Sequence, residues 1–376
     1  MSKKIMIIAG EASGDHHGGA LVRELNHQHA GLEIFGVGGD SMQSAGMELF
    51  YHIDDLAVIG FVEILKHYFY FRRVFYDLLA KIETRKPDLI ILIDYPGFNL
   101  RFARQAKKRG AQIFYFIAPQ VWAWARGRAK KMARYIDRLV VFFEFETDFF
   151  NRYGLDTHFV GHPLLDQLNV SLGKEQFFEK YHFAVDQPLL VLLPGSRKQE
   201  VNGLLPAMLQ TAKSIQEAHQ EVQVAVGLAD TIRPDSIRSM LPSTLKVSVI
   251  QKETYALMKY GSAGMVASGT ATLETACWNM PFAILYRVAP MTYFLGKRLV
   301  KIPHIGLANV VAGERVAREF IQDDIRLDLL VPHMEKLLFD HKVRQQIKRQ
   351  LSAVREKLGS PGAIDRTARL VWESLY

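Results

Sequence analysis

The sequence is short of the residues and motifs that mark several common classes of protein. Its 376 residues include one cysteine, Cys277, so no internal disulfide can form and a reducing, cytoplasmic compartment is indicated. No run of about 18 or more uncharged apolar residues occurs, which excludes a membrane-spanning helix. The first glycine-rich turn lacks the Gly-x-Gly-x-x-Gly fingerprint of nicotinamide enzymes. No Asp-x-Asp motif stands where a metal ion would hold a diphosphate, and the thirteen histidines show no convincing ligand spacing, so we expect no metal ion and no cofactor.

What the chain does contain is typical of a folded protein of two domains that binds anions. Hydrophobic residues make up 49% and charged residues 23%, and the length exceeds what one hydrophobic core usually serves. Lys and Arg outnumber Asp and Glu by 47 to 39, a net charge of +8 that favours nucleotides, phosphorylated lipids or nucleic acid as partners. Charge alone does not decide among them, since many basic proteins carry only a solvated charged face.

Short apolar runs alternate with longer amphipathic stretches in both halves of the chain, which predicts βαβ units around parallel sheets. We therefore predict an α/β fold of two Rossmann-like, doubly wound domains that face each other across a cleft. The predicted limits are 1–165 for an N-terminal domain, 166–345 for a C-terminal domain and 346–376 for a helical tail that packs back on the N-terminal domain. Strands are predicted at 4–9, 33–37, 89–93, 112–117, 138–142, 158–160, 189–193, 222–226, 246–250, 263–267 and 282–286.

The residues that follow each predicted strand are the candidates for function, because open α/β sheets bind ligands beyond the carboxyl ends of their strands. In the first half, the strand at 89–93 runs into Asp94, whose carboxylate can accept a proton from an attacking hydroxyl. The alternative is that Asp94 only caps the turn before the next helix. The first strand runs into a turn with Glu11 and Ser13, which either approaches an anionic ligand or simply caps a helix.

An aromatic and basic segment follows the strand at 112–117. Gln120, Trp122 and Trp124 precede five basic residues in nine positions between Arg126 and Arg134. Aromatic rings beside cations can stack a base, stack a sugar or contact lipid head groups. A nucleic-acid-binding face is one interpretation, but it leaves the loops of the second half unexplained, so we expect no nucleic acid partner.

The second half contains two glycine-containing loops that are typical of phosphate binding. They consist of Gly195, Ser196 and Arg197 after one strand, and of Ser268, Gly269 and Thr270 after another. The arginine fork matches phosphate oxygens, and a helix that begins after the second loop offers N–H groups to an anion. Glu274 lies four residues after Thr270 and so on the same helical face, where it can reach two ribose hydroxyls. Together the loops predict a nucleotide-diphosphate site, although each could be only a capped turn.

The segment from residue 61 to 75 is too apolar around its circumference for an ordinary surface helix, yet it carries several cations. Such a helix can lie in a membrane interface, and the alternative is a helix buried against the sheet. The predicted membrane contacts are Phe61, Leu65, Phe69, Phe71, Arg72 and Arg73.

Seven segments in this order resemble the lipid-A-disaccharide synthases, glycosyltransferases of the GT-B fold in the bacterial lipid A pathway. The segments are 10–15, 93–99, 119–124, 159–163, 193–197, 268–274 and 309–313. The chain departs from the family pattern at Ala308 and Arg318, where prolines are expected.

The resemblance implies a metal-independent, inverting transfer of 2,3-diacylglucosamine from UDP to the 6-hydroxyl of 2,3-diacylglucosamine 1-phosphate. The enzyme would work at the cytoplasmic face of the inner membrane as a peripheral protein, and a homo-oligomer stays open. By the resemblance Asp94 is the base. The acceptor side is formed by Glu11, Ser13 and Gln120, and UDP is held by Gly195, Ser196, Arg197, Ser268, Gly269, Thr270, Glu274 and Asn309. The alternative is a soluble UDP-sugar enzyme such as UDP-N-acetylglucosamine 2-epimerase, which shares the phosphate loops.

Overall fold

The computed structural model describes residues 2–56, 63–289, 293 and 303–376, with the backbone alone at 56, 63–68 and 124. The chain divides into two compact units. Unit 1 consists of Met1–Asp166 and Gly359–Tyr376, and unit 2 of Gln167–Leu358. None of the described helices has the length and apolar character that crossing a bilayer requires.

Unit 1 is built on a seven-stranded parallel sheet with the strand order β3-β2-β1-β4-β5-β6-β7. The central strands are almost wholly apolar because helices cover both faces of the sheet. The strands are β1 (Lys4–Ala9), β2 (Glu33–Gly38), β3 (Glu48–His52), β4 (Leu89–Ile93), β5 (Ile113–Phe116), β6 (Arg138–Val141) and β7 (Thr157–Phe159).

Helices that connect successive strands lie on the two faces of this sheet. One face packs on α4, α5 and the short helices before β6, and the other packs on α1. The helices of this half are α1 (Ala12–Gln28), α2 (Asp40–Ser44), α3 (Ile53–Leu56), α4 (Glu63–Arg85), α5 (Pro96–Lys107), α6 (Val121–Trp124), α7 (Ala129–Met132), α8 (Glu144–Asn151) and α9 (Leu164–Gln167).

Unit 2 repeats the plan with a six-stranded parallel sheet in the order β10-β9-β8-β11-β12-β13. Its strands are β8 (Leu189–Leu193), β9 (Gln223–Leu228), β10 (Val247–Gln251), β11 (Ala263–Ala267), β12 (Phe282–Tyr286) and β13 (Glu319–Ile321). Its helices are α10 (Lys174–Lys180), α11 (Lys198–Ala218), α12 (Thr254–Tyr260), α13 (Thr270–Cys277), α14 (Leu307–Ala312), α15 (Leu327–Phe339) and α16 (His341–Lys357).

The last helix, α17 (Ala363–Glu373), returns to unit 1 and completes its core. Ala363, Ala368 and Val371 are fully buried in the same cluster as residues of α1 and of one face of β1. The Trp372 ring stacks on His29 at 3.5 Å between centroids, and Lys3 Nζ donates to the Leu375 carbonyl at 2.7 Å. The C-terminal segment is therefore a structural part of the first unit.

These observations confirm the predicted α/β fold of two Rossmann-like parallel-sheet domains. The sequence analysis missed two edge strands, β3 and β13, which are short and only partly buried. The predicted start of the tail at residue 346 falls inside α16, whereas the chain changes unit at Gly359. The basic segment that begins at residue 126 forms a 3₁₀ turn, Arg126–Arg128, followed by the four-residue α7.

Candidate functional site

The predicted site residues lie at the topological switch point of each sheet. In unit 1 the strand order reverses between β1 and β4, and in unit 2 between β8 and β11. Loops that diverge from two such neighbouring strands leave a crevice at their carboxyl ends, where doubly wound proteins bind ligands. Glu11 and Asp94 follow the two strands of the first pair, while Gly195 and Ser268 follow those of the second.

Asp94 lies on a strained turn directly after β4. Both Asp94 and Tyr95 have left-handed backbone conformations, with φ of 43° and 47°. Such residues persist only where the surroundings hold them, and they concentrate at functional sites. Here the Asp94 carbonyl accepts hydrogen bonds from the Tyr115 hydroxyl at 2.5 Å and from the Asn99 amide at 2.9 Å. A Cβ atom at Gly10 would lie 2.2 Å from the Tyr95 ring, so the turn after β1 requires glycine.

The Asp94 carboxyl group is partly buried close to a second carboxylate. Burial raises its pKa above the ordinary value, the nearby Glu11 carboxylate raises it further, and a backbone hydrogen bond at Tyr95 opposes both effects. Burial and Glu11 likewise raise the pKa of the Tyr95 hydroxyl. Asp94 therefore binds a proton more tightly than an exposed aspartate, which suits a group that accepts one.

The other residues predicted for the acceptor side are exposed at the same edge of the sheet. Ser13 lies in the first turn of α1, and its neighbour Asp15 is buried and accepts the backbone N–H groups of Gly39 and Met42 at 2.7 and 3.1 Å. Gln120 precedes α6 after β5, the strand next to β4. Asp15 thus has a structural role, and Ser13 and Gln120 are left to face solvent or a ligand.

The segment that contains Gln120 is held in place by hydrogen bonds to a buried acid, Glu146, which sequence reasoning missed. The Trp122 indole donates to Glu146 Oε1 at 2.8 Å, and the Phe143 N–H donates to the other oxygen at 3.3 Å. Glu146 is 3% exposed, and burial raises its pKa to about 7 against the effect of these donors.

Unit 2 contains a cavity of about 430 Å³ at its switch point. This volume falls in the usual range for small-molecule sites. The predicted loop residues Gly195, Ser196, Arg197, Ser268, Gly269, Thr270 and Glu274 all line it. The structure therefore brings seven of the eight residues predicted for UDP into one cavity, and it adds Tyr255, Thr254 and Met258 to the walls.

The first loop of the cavity is organised by Glu200. Gly195 has a φ of 111°, and a Cβ atom there would lie 2.4 Å from Glu200 Oε2. The same oxygen accepts the N–H groups of Ser196 and Arg197 at 3.1 and 3.3 Å. Because these backbone donors are already used, the Arg197 guanidinium is the remaining group of this loop that could bind an anion. Its side chain is 82% exposed, and Nη1 lies 3.3 Å from Glu200 Oε1.

The second loop leads into the N-terminus of α13. Gly269 has a φ of 154°, and the first N–H groups of the helix have no partner within it. One turn further, Glu274 Oε1 accepts the Tyr255 hydroxyl at 3.2 Å. Burial raises the pKa of Glu274, and the hydrogen bond from Tyr255 opposes this. Backbone donors thus face one part of the cavity and a carboxylate faces another.

Asn309, which was also predicted to contact UDP, is not among the residues that line this cavity in the described structure. It is fully buried, and its amide nitrogen donates to the Ala317 carbonyl at 2.7 Å and to Glu319 Oε1 at 2.8 Å. Its oxygen accepts the N–H groups of Val316 and Ala317, both at 2.9 Å. Glu319 also accepts the Gly306 N–H at 3.0 Å. Asn309 is therefore a structural anchor for the segment around α14.

Of the predicted membrane contacts, Phe61 lies outside the described residues, as does the side chain of Leu65. Phe69 is 64% exposed on α4, and Arg72 and Arg73 are exposed beside it. Phe71 is partly buried and packs against the core of unit 1, so less of its ring is exposed than that of Phe69.

Tyr255 lines the cavity, and sequence reasoning missed it. It is the second residue of the short helix α12, where a partly buried tyrosine usually only packs against its neighbours. Among the described residues, no three His, Cys, Asp or Glu side chains are grouped so that they could hold a metal ion.

Comparison with known proteins agrees with this geometry. The family model described as lipid-A-disaccharide synthetase matches residues 5–369. A lipid-A-disaccharide synthase of Geobacter sulfurreducens is 40% identical over 375 residues, covering 100% of this chain and 98% of the relative. One of Coxiella burnetii is 38% identical, covering 100% of this chain and 99% of the relative.

Solved structures share the fold at low identity. The UDP complex of MnaA from S. aureus superposes with a TM-score of 0.62 at 13% identity, covering 100% of this chain and 98% of that one. MurG of Acinetobacter baumannii superposes with a TM-score of 0.59 at 14% identity, covering 99% and 100%. The family match over nearly the whole length, together with relatives near 40% identity, shows that this chain belongs to the lipid-A-disaccharide synthetase family of glycosyltransferases.

Proposed function

We propose that the chain transfers 2,3-diacylglucosamine from UDP-2,3-diacylglucosamine to 2,3-diacylglucosamine 1-phosphate, forming a β-1,6 linkage with inversion and releasing UDP. The observation that carries the proposal is the unit 2 cavity, in which Arg197, the N-terminus of α13 and Glu274 meet at the switch point. A diphosphate fits the cationic and N–H-rich part, and ribose hydroxyls fit the carboxylate.

In the proposed step the 6-hydroxyl oxygen of the acceptor attacks the anomeric carbon of the donor sugar. The new carbon–oxygen bond forms as the bond from that carbon to the β-phosphate oxygen breaks, and UDP takes the electron pair. Asp94 accepts the hydroxyl proton, which its raised pKa favours. Arg197 and the backbone donors at Gly269 and Thr270 stabilise the charge that develops on the diphosphate. Glu11, Ser13 and Gln120 orient the acceptor.

The test of this proposal is the variant Asp94→Asn, which removes the base and keeps the size of the side chain. We expect turnover to fall by about 10²- to 10⁴-fold, the usual contribution of a general base, while the Kd for UDP stays unchanged. Product disaccharide is measured by mass spectrometry and UDP binding by calorimetry.

Asp88→Asn is the matched control, since Asp88 lies at the opposite end of β4, where it accepts the Lys4 N–H at 2.8 Å. A near-normal rate in Asp94→Asn would remove Asp94 from the role of base. Failure of the unsubstituted protein to form disaccharide from the two lipids would end the proposed function as a whole.

We further propose that unit 1 makes the enzyme's contact with the inner membrane, at the cytoplasmic face. Support comes from the distribution of charge: residues 95–136 contain ten Lys and Arg and no Asp or Glu, so this segment carries +10. Since the whole chain carries +8, the remainder carries −2. Helix α5 of this segment packs on α4 through Phe75 and Phe98, whose ring centroids lie 5.4 Å apart, and α4 exposes Phe69. An apolar ring among cations suits an anionic lipid surface.

Charge reversal tests the membrane contact. We expect Lys130→Glu with Lys131→Glu to weaken flotation with phosphatidylglycerol vesicles by at least about tenfold, because each cation near such a surface contributes about 1 kcal/mol. Arg349→Glu, an exposed position on α16 in unit 2, is the control. Equal flotation of the three proteins would contradict the assignment of this surface.

The alternative of a UDP-N-acetylglucosamine 2-epimerase is not favoured. Epimerase structures share the fold, such as that of Neisseria meningitidis bound to UDP-GlcNAc, with a TM-score of 0.59 at 11% identity. Likeness at that level extends to several activities, whereas the family model covers residues 5–369.

A further inference from the structure

Tyr255 and Glu274 form a polar pair in the wall of the unit 2 cavity. The Tyr255 hydroxyl donates to Glu274 Oε1 at 3.2 Å, and both residues line the cavity. The Trp278 ring lies near the tyrosine ring, with 6.4 Å between ring centroids. Within the described part of the chain, Glu274 makes no ion pair with a cation. The carboxylate is thus partly buried with a single neutral donor.

This arrangement determines which ligand groups Glu274 can accept. A carboxylate without a cation repels phosphate but accepts hydrogen bonds from neutral hydroxyls. One of its oxygens is engaged by Tyr255, so the rotation of the carboxylate about its last bond is restricted. The second oxygen, Oε2, is left to accept donors from the cavity. A carboxylate without this hydrogen bond would give up its rotational freedom each time a ligand bound, at a cost in affinity.

We propose that Tyr255 is a positioning residue that fixes the Glu274 carboxylate for the ribose hydroxyls of the UDP donor, and so contributes to selectivity for a ribonucleotide. The inference rests on the proposed function, because it assigns the carboxylate end of the cavity to ribose. Tyr255 acts through Glu274 and does not need to contact the nucleotide itself.

The experiment combines a tyrosine variant with a ligand that lacks the ribose hydroxyls. Tyr255→Phe removes the hydroxyl and keeps the ring. We expect the variant to bind UDP about fivefold more weakly, the usual effect of losing one hydrogen bond, and to bind 2′,3′-dideoxy-UDP as the unsubstituted protein does. In turnover, the KM for the donor rises by a similar factor while kcat changes little, because the reacting atoms are not touched.

Tyr260→Phe is the matched control on the same helix. It makes the same chemical change one turn later, where the Tyr260 hydroxyl donates to the Leu172 carbonyl at 2.7 Å outside the cavity. We expect it to leave both affinities unchanged. Glu274→Gln should lower the affinity for UDP toward that for the dideoxy ligand.

The outcomes separate this inference from the proposed function. If Tyr255→Phe lowers the affinities for UDP and for dideoxy-UDP by the same factor, the tyrosine supports the structure of the whole cavity and the positioning role is refuted. Unchanged UDP affinity in Tyr255→Phe refutes it as well. If the unsubstituted protein binds no UDP, the assignment of the cavity fails before Tyr255 is in question.

Discussion

Glu146 gives the sharpest physical prediction, because it is a nearly fully buried acid with no cation beside it in the described structure. Burial raises its pKa to about 7 from an ordinary value of 4.5. Between these two values the folded state holds a proton that the unfolded state has released, so the free energy of unfolding falls as pH rises. From about pH 5 to about pH 8 the loss amounts to roughly 2 to 3 kcal/mol, at 1.36 kcal/mol per unit of pKa difference.

Glu146→Gln removes this dependence while its side-chain oxygen still accepts the Trp122 indole. The unsubstituted protein loses this stability between pH 5 and pH 8, and the variant does not. We therefore expect the difference in unfolding free energy, variant minus unsubstituted protein, to increase by roughly 2 to 3 kcal/mol as the pH is raised over that range. Urea unfolding followed by tryptophan fluorescence measures it. Glu144→Gln, an exposed position two residues away, removes a carboxylate of the same helix without changing a buried one. A difference between Glu146→Gln and the unsubstituted protein that stays constant with pH would refute the reasoning.

Three further substitutions test the scaffold of the two units. Gly195→Ala forces a side chain into a left-handed backbone against the Glu200 carboxylate, so calorimetry should show UDP affinity reduced about tenfold or more. Asn309→Ala leaves the buried partners of its amide, including Glu319, without a hydrogen bond, so urea unfolding should show the free energy of unfolding lowered by about 2 to 4 kcal/mol. Val371→Asp places a charge in the fully buried α17 contact, so limited proteolysis should cut unit 1 while fragments of unit 2 persist.

Much of the fold is readable from the sequence because parallel strands buried on both faces leave a strong apolar signal. The central strands, such as Leu189–Leu193, have no exposed residue and were predicted with their bounds. The two strands that were missed are at sheet edges. Glu48–His52 has no fully buried residue, and Glu319–Ile321 has only three residues, so neither produces a pattern that differs from a loop. Both segments are strands because they pair with a neighbouring strand, β2 or β12, and the sequence does not show this pairing.

The location of the site follows from the same strand pattern, but its contacts do not. Knowing where β4 and β11 end places Asp94 and Glu274 at switch points, since chain direction alone decides which edge a loop occupies. Whether a side chain then faces the ligand or the protein depends on neighbours distant in the chain. Asn309 looks like a ligand-binding amide, yet partners from Val316 to Glu319 use its whole hydrogen-bonding capacity. Tyr255 looks like a packing residue, yet the contact between α12 and α13 brings its hydroxyl to a carboxylate 19 residues away. A motif therefore identifies the neighbourhood of a reaction, and the partners of each polar atom decide which of its residues are free to act.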